Sequence, residues 1–311
     1  MTRNDADDLT VEDAGRDAQM LARFDRQVRR STNPEPNMRF LALDEPAPML
    51  LLLPDTESAW GGGVMWSEVT EATADDAIAA AVETFAATGS GKDWEWKYYA
   101  YDQPPDLPAR LVAAGFERDD DEALVIGQVE VVCRRLAAAS DPDGITIRAI
   151  RTDPAGSAAD WRGMADLDLA VWGEDGTERA EALAQALAAD PEGMAVWVAV
   201  DEAALAVTTV PTTDPASADS DERPTSDGLV VCAARVNFHH GTDFASLWGG
   251  STLADYRGRG IYQAIVSRRA DQAAERGYSY LQVDASPDSR PILERLGMRV
   301  VTTTTPYNKK A

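Results

Sequence analysis

The chain has 311 residues, 44% of them hydrophobic, which is enough for two cores at about 100–200 residues per domain and excludes a wholly disordered protein. Lys plus Arg number 29 against 53 Asp plus Glu, a net charge of −24, so bulk electrostatics exclude nucleic acid and anionic membranes as default partners. The acidity reads either as attraction of a cationic substrate, a polyamine or aminoglycoside, or as salt adaptation; Lys92, Lys97, Lys309 and Lys310 are the only lysines, and the other 25 basic residues are Arg.

In chain order, residues 1–35 read as an acidic start and one amphipathic helix over about Val11–Arg30. Phe40–Pro54 looks extended, Ala74–Thr88 helical and Trp94–Tyr101 an aromatic strand. Alternation on a half-buried strand accounts for most of Trp94, Trp96, Tyr98, Tyr99 and Tyr101, with an acceptor pocket as the functional reading. Asp106–Ala114 is a short helix ended by Gly115, and Ala123–Val132 is a strand. Residues 137–144 form a linker candidate.

The second half opens with the alternating strand Ile145–Ile150, then helices at about Asp160–Val171 and Thr177–Ala189 and a strand Met194–Val200. Thr208–Asp227 is acidic and of low complexity, and is expected to be a disordered insertion. Strands follow at Leu229–Phe238 and about Phe244–Leu253. A Gly/Arg loop, a helix to Arg276, a strand Tyr278–Asp284, a short helix to Leu296 and a last strand from Met298 complete the chain.

Cys133 and Cys232 lie far apart in apolar runs, so neither a disulfide framework nor a metal is expected. The N-terminus has no apolar signal core, and the longest apolar run, Met49–Leu53, is too short to cross a bilayer. A soluble, cytoplasmic protein is the expectation.

The two halves echo each other. Trp96–Phe116 and Tyr280–Met298 each run from a strand through Pro-Asp (Pro105-Asp106; Pro287-Asp288) and a second proline (Pro108; Pro291). Each then closes a helix with Gly plus an apolar residue (Gly115-Phe116; Gly297-Met298). Asp106 and Asp288 suit N-caps, and a proline in the first turn loses no hydrogen bond. Two related domains are expected.

The strongest local signal is Tyr256-Arg257-Gly258-Arg259-Gly260-Ile261-Tyr262, between a strand and a helix. A Gly-rich turn opening a helix gathers backbone N–H groups and the positive dipole end at one point, an anion site suited to a diphosphate. A Walker A loop needs Gly-Lys-Ser/Thr, absent here. A dinucleotide fingerprint fails at Gln263, and too little chain follows for the remaining strands, although Asp284 lies where a ribose-binding acid would.

Together with the order of elements and the terminal Leu296-Gly297-Met298, the loop resembles the core of the GCN5-related N-acetyltransferases (GNAT) over about Ile145–Tyr307. The family pattern Arg/Gln-x-x-Gly-x-Gly/Ala is met by Arg257 and Gly260, and departs at Tyr262. The resemblance implies an α/β fold of two tandem GNAT-like domains, each a mixed sheet flanked by helices: 36–136 a degenerate copy, 145–311 an active one. In the first copy Trp60-Gly61-Gly62-Gly63-Val64 offers glycines but no arginine pair.

It further implies acetyl transfer from acetyl-CoA, without a metal, to an amine of a small molecule or peptide terminus. Main-chain N–H groups of Gly258, Arg259, Gly260, Ile261 and Tyr262 would hold the pyrophosphate, helped by Arg257. Ser251, Thr252 and Leu253 would pair with the pantetheine arm, and Ser286 would join the cofactor set. The family's usual tyrosine acid falls at Leu293, which leaves Ser289, one turn earlier, as the candidate; its bland role is to satisfy a first-turn backbone group. His239 and Asp243, after the strand Leu229–Phe238, are candidates for the base beside His240, with a surface turn as the competing explanation. A non-catalytic CoA-binding regulator or scaffold is the alternative function.

Overall fold

A computed structural model describes residues 15–32, 38–55, 58, 60–138, 140–204 and 228–311. The acidic start and the insertion expected at 208–227 lie outside the described residues. The chain divides into two compact units that do not follow chain order. Unit 1 holds residues 1–132, 239–246 and 273–311; unit 2 holds 133–238 and 247–272.

In unit 1, helix α1 spans residues 15–24 and widens into a π-helical turn, Asp25–Arg29. Strands β1 (Met38–Leu43) and β2 (Met49–Pro54) pair antiparallel, Leu43 opposite Met49. The stretch expected to be continuously extended from Phe40 is thus a hairpin, turned where Asp44-Glu45-Pro46-Ala47-Pro48 interrupts the apolar run. Strand β3 (Gly63–Ser67) follows, antiparallel to β2 and parallel to β4 (Trp94–Tyr99). It was not expected, because its glycines read as a loop. They are there for contact: a Cβ on Gly61 would stand 1.7 Å from the Asp93 carbonyl oxygen, and one on Gly62 2.0 Å from that of Leu52.

Helix α2 (Ala74–Thr88) buries Ala74, Ala77, Ile78, Ala81 and Phe85, one stripe at helical spacing. Phe85 stacks on Trp94 with ring centroids 4.0 Å apart, and Trp94 and Trp96 lie in the core, so these two aromatics are packing residues. Helix α3 (Leu107–Ala113) starts after Asp106, with proline in its first turn as expected. Beyond β5 (Glu117–Arg118), strand β6 (Glu122–Gln128) stops earlier than expected. Helix α4 (Val129–Leu136) takes over, its Val129, Val132 and Leu136 being buried at spacings of three and four.

The echoed segments meet here. Strand β11 (Tyr280–Ala285), helix α8 (Arg290–Arg295) and strand β12 (Arg299–Lys309) return to unit 1. The strand order is β1-β2-β3-β4-β12-β6-β11. Strand β12 enters between β4 and β6, and β6 between β12 and β11, all antiparallel, so each echoed strand pair opens to admit a strand of the other.

Two ionic groups fix this unit. Arg29 is buried, bonds both Asp102 carboxylate oxygens at 2.8 and 2.6 Å, and lies 3.8 Å from the Tyr99 ring centroid. Lys97 reaches Asp284 at 2.6 Å and Glu122 at 3.5 Å. Burial pushes Lys97 down, but Asp284 and Glu95 more than offset it and hold the ammonium well above its usual range. Burial raises Glu95, with Lys97 opposing and Asp284 adding to the rise.

In unit 2, strand β7 (Ile145–Ala149) pairs antiparallel with β8 (Met194–Asp201), and β8 with β9 (Leu229–Phe238). Helix α5 (Pro154–Trp172) begins earlier than expected, because the Asp153 side chain accepts the Gly156 N–H at 3.1 Å and Pro154 opens the first turn. Helix α6 (Thr177–Ala189) packs beside it, and the Asp168 carboxylate binds Arg179 across the pair. Strand β10 (Phe244–Thr252) has residues 244–246 in unit 1, parallel to β11 over three rungs, and 247–252 in unit 2. Helix α7 (Ile261–Glu275) then packs Ile261 and Ile265 against Val231, Cys232 and Ala234.

A raised carboxyl contributes stability that is complete below its unfolded value, about 4.3, and is lost as pH rises through the folded one. Glu95→Gln is therefore expected to raise the melting temperature at pH 8, where the confined carboxylate is otherwise charged. The gain should vanish near pH 4; a lower melting temperature at pH 8 contradicts the reading.

Candidate functional site

The loop between β10 and α7 lies wholly in unit 2. Leu253 is tied to β9 by its N–H to the Val231 carbonyl, at 3.0 Å. A short 3-10 turn, Ala254–Tyr256, then lifts the chain out of the sheet. The helix ladder starts only with Ala264 N–H to the Gly260 carbonyl, at 3.0 Å. Between these points the N–H groups of residues 258–263 find no acceptor among the described residues.

Gly258 and Gly260 sit at φ +75° and +80°, where a side chain is strained, and nothing lies within 4 Å of a Cβ built on either. The contrast with Gly61, crowded by backbone, is direct: one glycine run fills space and the other leaves it open.

Side chains around the loop brace it rather than fill it. Tyr256 donates its hydroxyl to Asp201 at 2.9 Å, at the far end of β8. That bond, with the N–H groups of Ala203 and Ala204, holds the Asp201 carboxyl below its ordinary value. Arg257 Nε returns to the Thr252 carbonyl at 3.2 Å. Arg259 bonds the Asp143 carbonyl at 3.3 Å, with its guanidinium 5.0 Å from the Tyr256 ring centroid. Both cations stay exposed at the turn, adding positive potential without occupying it.

Tyr262, where the family pattern has a small residue, turns its ring away. A Cβ on Gly250 would stand 2.8 Å from Tyr262 Cε2, so Gly250 makes the room. The phenol meets the buried Arg269, whose guanidinium burial pushes down and Tyr262 pulls back up. Ser251 is buried and accepts the Trp172 indole N–H at 2.9 Å, while Thr252 donates to the Cys232 sulfur at 3.1 Å. Residues 258–263 thus present a row of main-chain donors without acceptors among the described residues, backed by committed side chains. Such a row of donors is chemically suited to an anion with several oxygens.

The other candidates are in unit 1. His239 is half-buried, with Nε2 2.5 Å from Ser246 Oγ, which also takes the Gln282 amide N–H. Burial, then His240, pushes it down to about 4, so it is neutral at pH 7. Asp243 accepts from Arg23 Nη1 at 3.0 Å and Gln27 Nε2 at 2.9 Å, which gives it a tethering role toward α1. Ser289 is the N-cap residue of α8, where Asp288 was expected, and its hydroxyl lies 3.2 Å from that of Ser286. Leu293, at the position of the family's tyrosine, is fully buried.

Sequence reasoning missed the braces Asp201–Tyr256 and Trp172–Ser251. Each joins residues more than fifty positions apart, and only Gly249-Gly250 hinted locally that something packs on β10.

No protein-family model and no curated protein sequence matches the chain. Solved structures do. A GCN5-related N-acetyltransferase from Kribbella flavida is 17% identical at a TM-score of 0.56, over 96% of this chain and 95% of that one. A tandem GNAT protein from the clavulanic acid biosynthesis pathway is 14% identical at 0.55, over 89% and 85%. A functionally unknown conserved protein from Staphylococcus epidermidis is 12% identical at 0.57, over 89% and 95%. With this element order and strand arrangement, the chain has the fold of the GCN5-related N-acetyltransferases, in its tandem form.

Proposed function

We propose that the protein transfers an acetyl group from acetyl-CoA to an amine of a small molecule or peptide terminus. The observation that carries this reading is the row of N–H groups at residues 258–263 that have no acceptor among the described residues, opened by Gly258 and Gly260, at the head of α7. A diphosphate suits it, because its oxygens accept from successive main-chain donors and its charge is favoured at a helix N-terminus. Exposed Arg257 and Arg259 add attraction in a chain of net charge −24.

The cosubstrate would supply an activated thioester. Residues 251–253 would lie along its arm, and the loop, braced by Asp201 and Tyr256, would fix its far end; placing the amine is the remaining task. The amine nitrogen attacks the carbonyl carbon, the C–S bond breaks, one proton leaves nitrogen and one reaches sulfur. We further read residues 36–136 as a degenerate copy, supported by the glycine run at 61–63 being filled by backbone. The cytoplasm and salt adaptation remain part of this proposal. A non-catalytic CoA-binding regulator is the second reading, favoured by the buried Leu293.

Thiol release from acetyl-CoA across an amine panel separates the two: acceptor-dependent turnover is expected, and tight CoA binding without it supports the regulator. In calorimetry, Gly260→Asp should abolish CoA binding with the fold intact, by strain and by charge against phosphate. Tyr256→Phe should weaken binding by about two- to tenfold, the worth of one hydrogen bond. Unchanged affinity in Gly260→Asp contradicts the loop assignment.

A further inference from the structure

Strand β10 is open over part of its length. Strand β11 accompanies it only as far as Ser246, so on that side residues 247–252 have no strand partner among the described residues. Three successive residues there, Trp248, Gly249 and Gly250, are exposed, while Leu247 and Ser251 on either side are buried. Gly249, at φ +53°, has nothing within 4 Å of a Cβ built on it, so the space beside the strand is free at that point. An open edge offers main-chain N–H and C=O groups to an extended ligand that carries amides.

One exposed side chain is fastened to the same stretch. Trp172, the last residue of α5, is 61% exposed, yet its indole N–H is fixed 2.9 Å from the hydroxyl of the buried Ser251. Leu169, one turn earlier on the same face of α5, is exposed as well. The tether holds the ring in one orientation before any ligand arrives. A ligand that covers it then gains apolar contact with little further loss of side-chain entropy. Ser251 is thereby committed through its hydroxyl, which leaves its main chain for pairing.

This step rests on the acetyl-transfer reading, and it concerns the cosubstrate rather than the acceptor. Trp172, β10 from residue 247 and the donors at 258–263 all belong to unit 2. From Leu253 back to Trp248 the strand covers about 16 Å, at about 3.3 Å per residue. The arm that joins the diphosphate of coenzyme A to its sulfur is a chain of comparable length, with two amides and a pair of methyl groups. We propose that Trp172, with Leu169, is the apolar wall against which this arm lies while its amides pair with the open edge of β10. Trp172 is then a binding residue for the arm: it fixes the path of the thioester and takes no part in bond making.

Calorimetry on the whole protein compares CoA with 3′-phosphoadenosine 5′-diphosphate, which has the diphosphate but no arm. Trp172→Ala is expected to weaken CoA binding about tenfold and to leave the armless nucleotide within about twofold of its wild-type affinity. Trp172→Phe, which keeps a ring but loses the tether to Ser251, should fall between wild type and Trp172→Ala for CoA. Gly260→Asp, by contrast, should abolish binding of both ligands. An unchanged melting temperature in Trp172→Ala, expected of so exposed a ring, separates lost contact from lost fold. Unchanged CoA affinity in Trp172→Ala overturns the proposal, and so does an equal loss for the two ligands. A higher KM for the amine with CoA affinity unchanged assigns the ring to the acceptor and overturns it too. In each of these results the wild type still binds CoA, so the acetyl-transfer reading stands. If the wild type binds neither ligand, that reading fails first and the wall falls with it.

Discussion

Six consecutive main-chain N–H groups without an acceptor among the described residues, at residues 258–263, set what the rest of unit 2 must provide. Donors at a helix start are ordinary, since the first turn has no preceding carbonyls. Here the two residues ahead of the helix that would normally fold back, Gly258 and Gly260, take left-handed conformations and leave the space before them open. Such a turn gains affinity only if it is held before a ligand arrives. The Tyr256–Asp201 hydrogen bond, the return of Arg257 to Thr252 and the reach of Arg259 to Asp143 supply that hold from three directions. Gly250 and Arg269 take up the one bulky departure from the family pattern, Tyr262.

Unit 1 answers a different constraint. Strands β6 and β12 each sit between strands of the other echoed segment, so the end of the chain is part of the central sheet rather than an appendage. The half-buried Lys97, drawing on Asp284 and Glu122 from β11 and β6, ties three strands by charge, at the cost of confining Glu95 nearby. The glycine run of this unit has become packing material, which is why similar composition at 61–63 and 258–260 carries opposite meanings.

The element list was largely legible: α2, α6 and β9 have the bounds that periodicity gives, because each shows an uninterrupted stripe or apolar run. The turn at 256–262 was legible as a turn that opens a helix, because Gly258 and Gly260 stand directly ahead of an apolar stripe at helical spacing. Other features were hidden for physical reasons. Strand β3 is entered through the glycine run 61–63, where neighbouring backbone approaches too closely for side chains. Helix α4 continues the apolar run of β6 without a break, and only the spacing of Val129, Val132 and Leu136 marks the change. The early start of α5 runs through Ala155-Gly156-Ser157, which lacks an apolar stripe. Pairings such as Trp172 with Ser251, or β12 with β4, depend on residues distant in sequence and leave no local pattern. The tethering of Asp243 by Arg23 and Gln27 was hidden in the same way.

The structure of the protein bound to coenzyme A tests the central claim most directly. The account requires diphosphate oxygens at about 2.9 Å from main-chain nitrogens within residues 258–263, with Tyr256 still on Asp201. Nucleotide density at another place, or a diphosphate held by side chains alone with those nitrogens facing solvent, would contradict it.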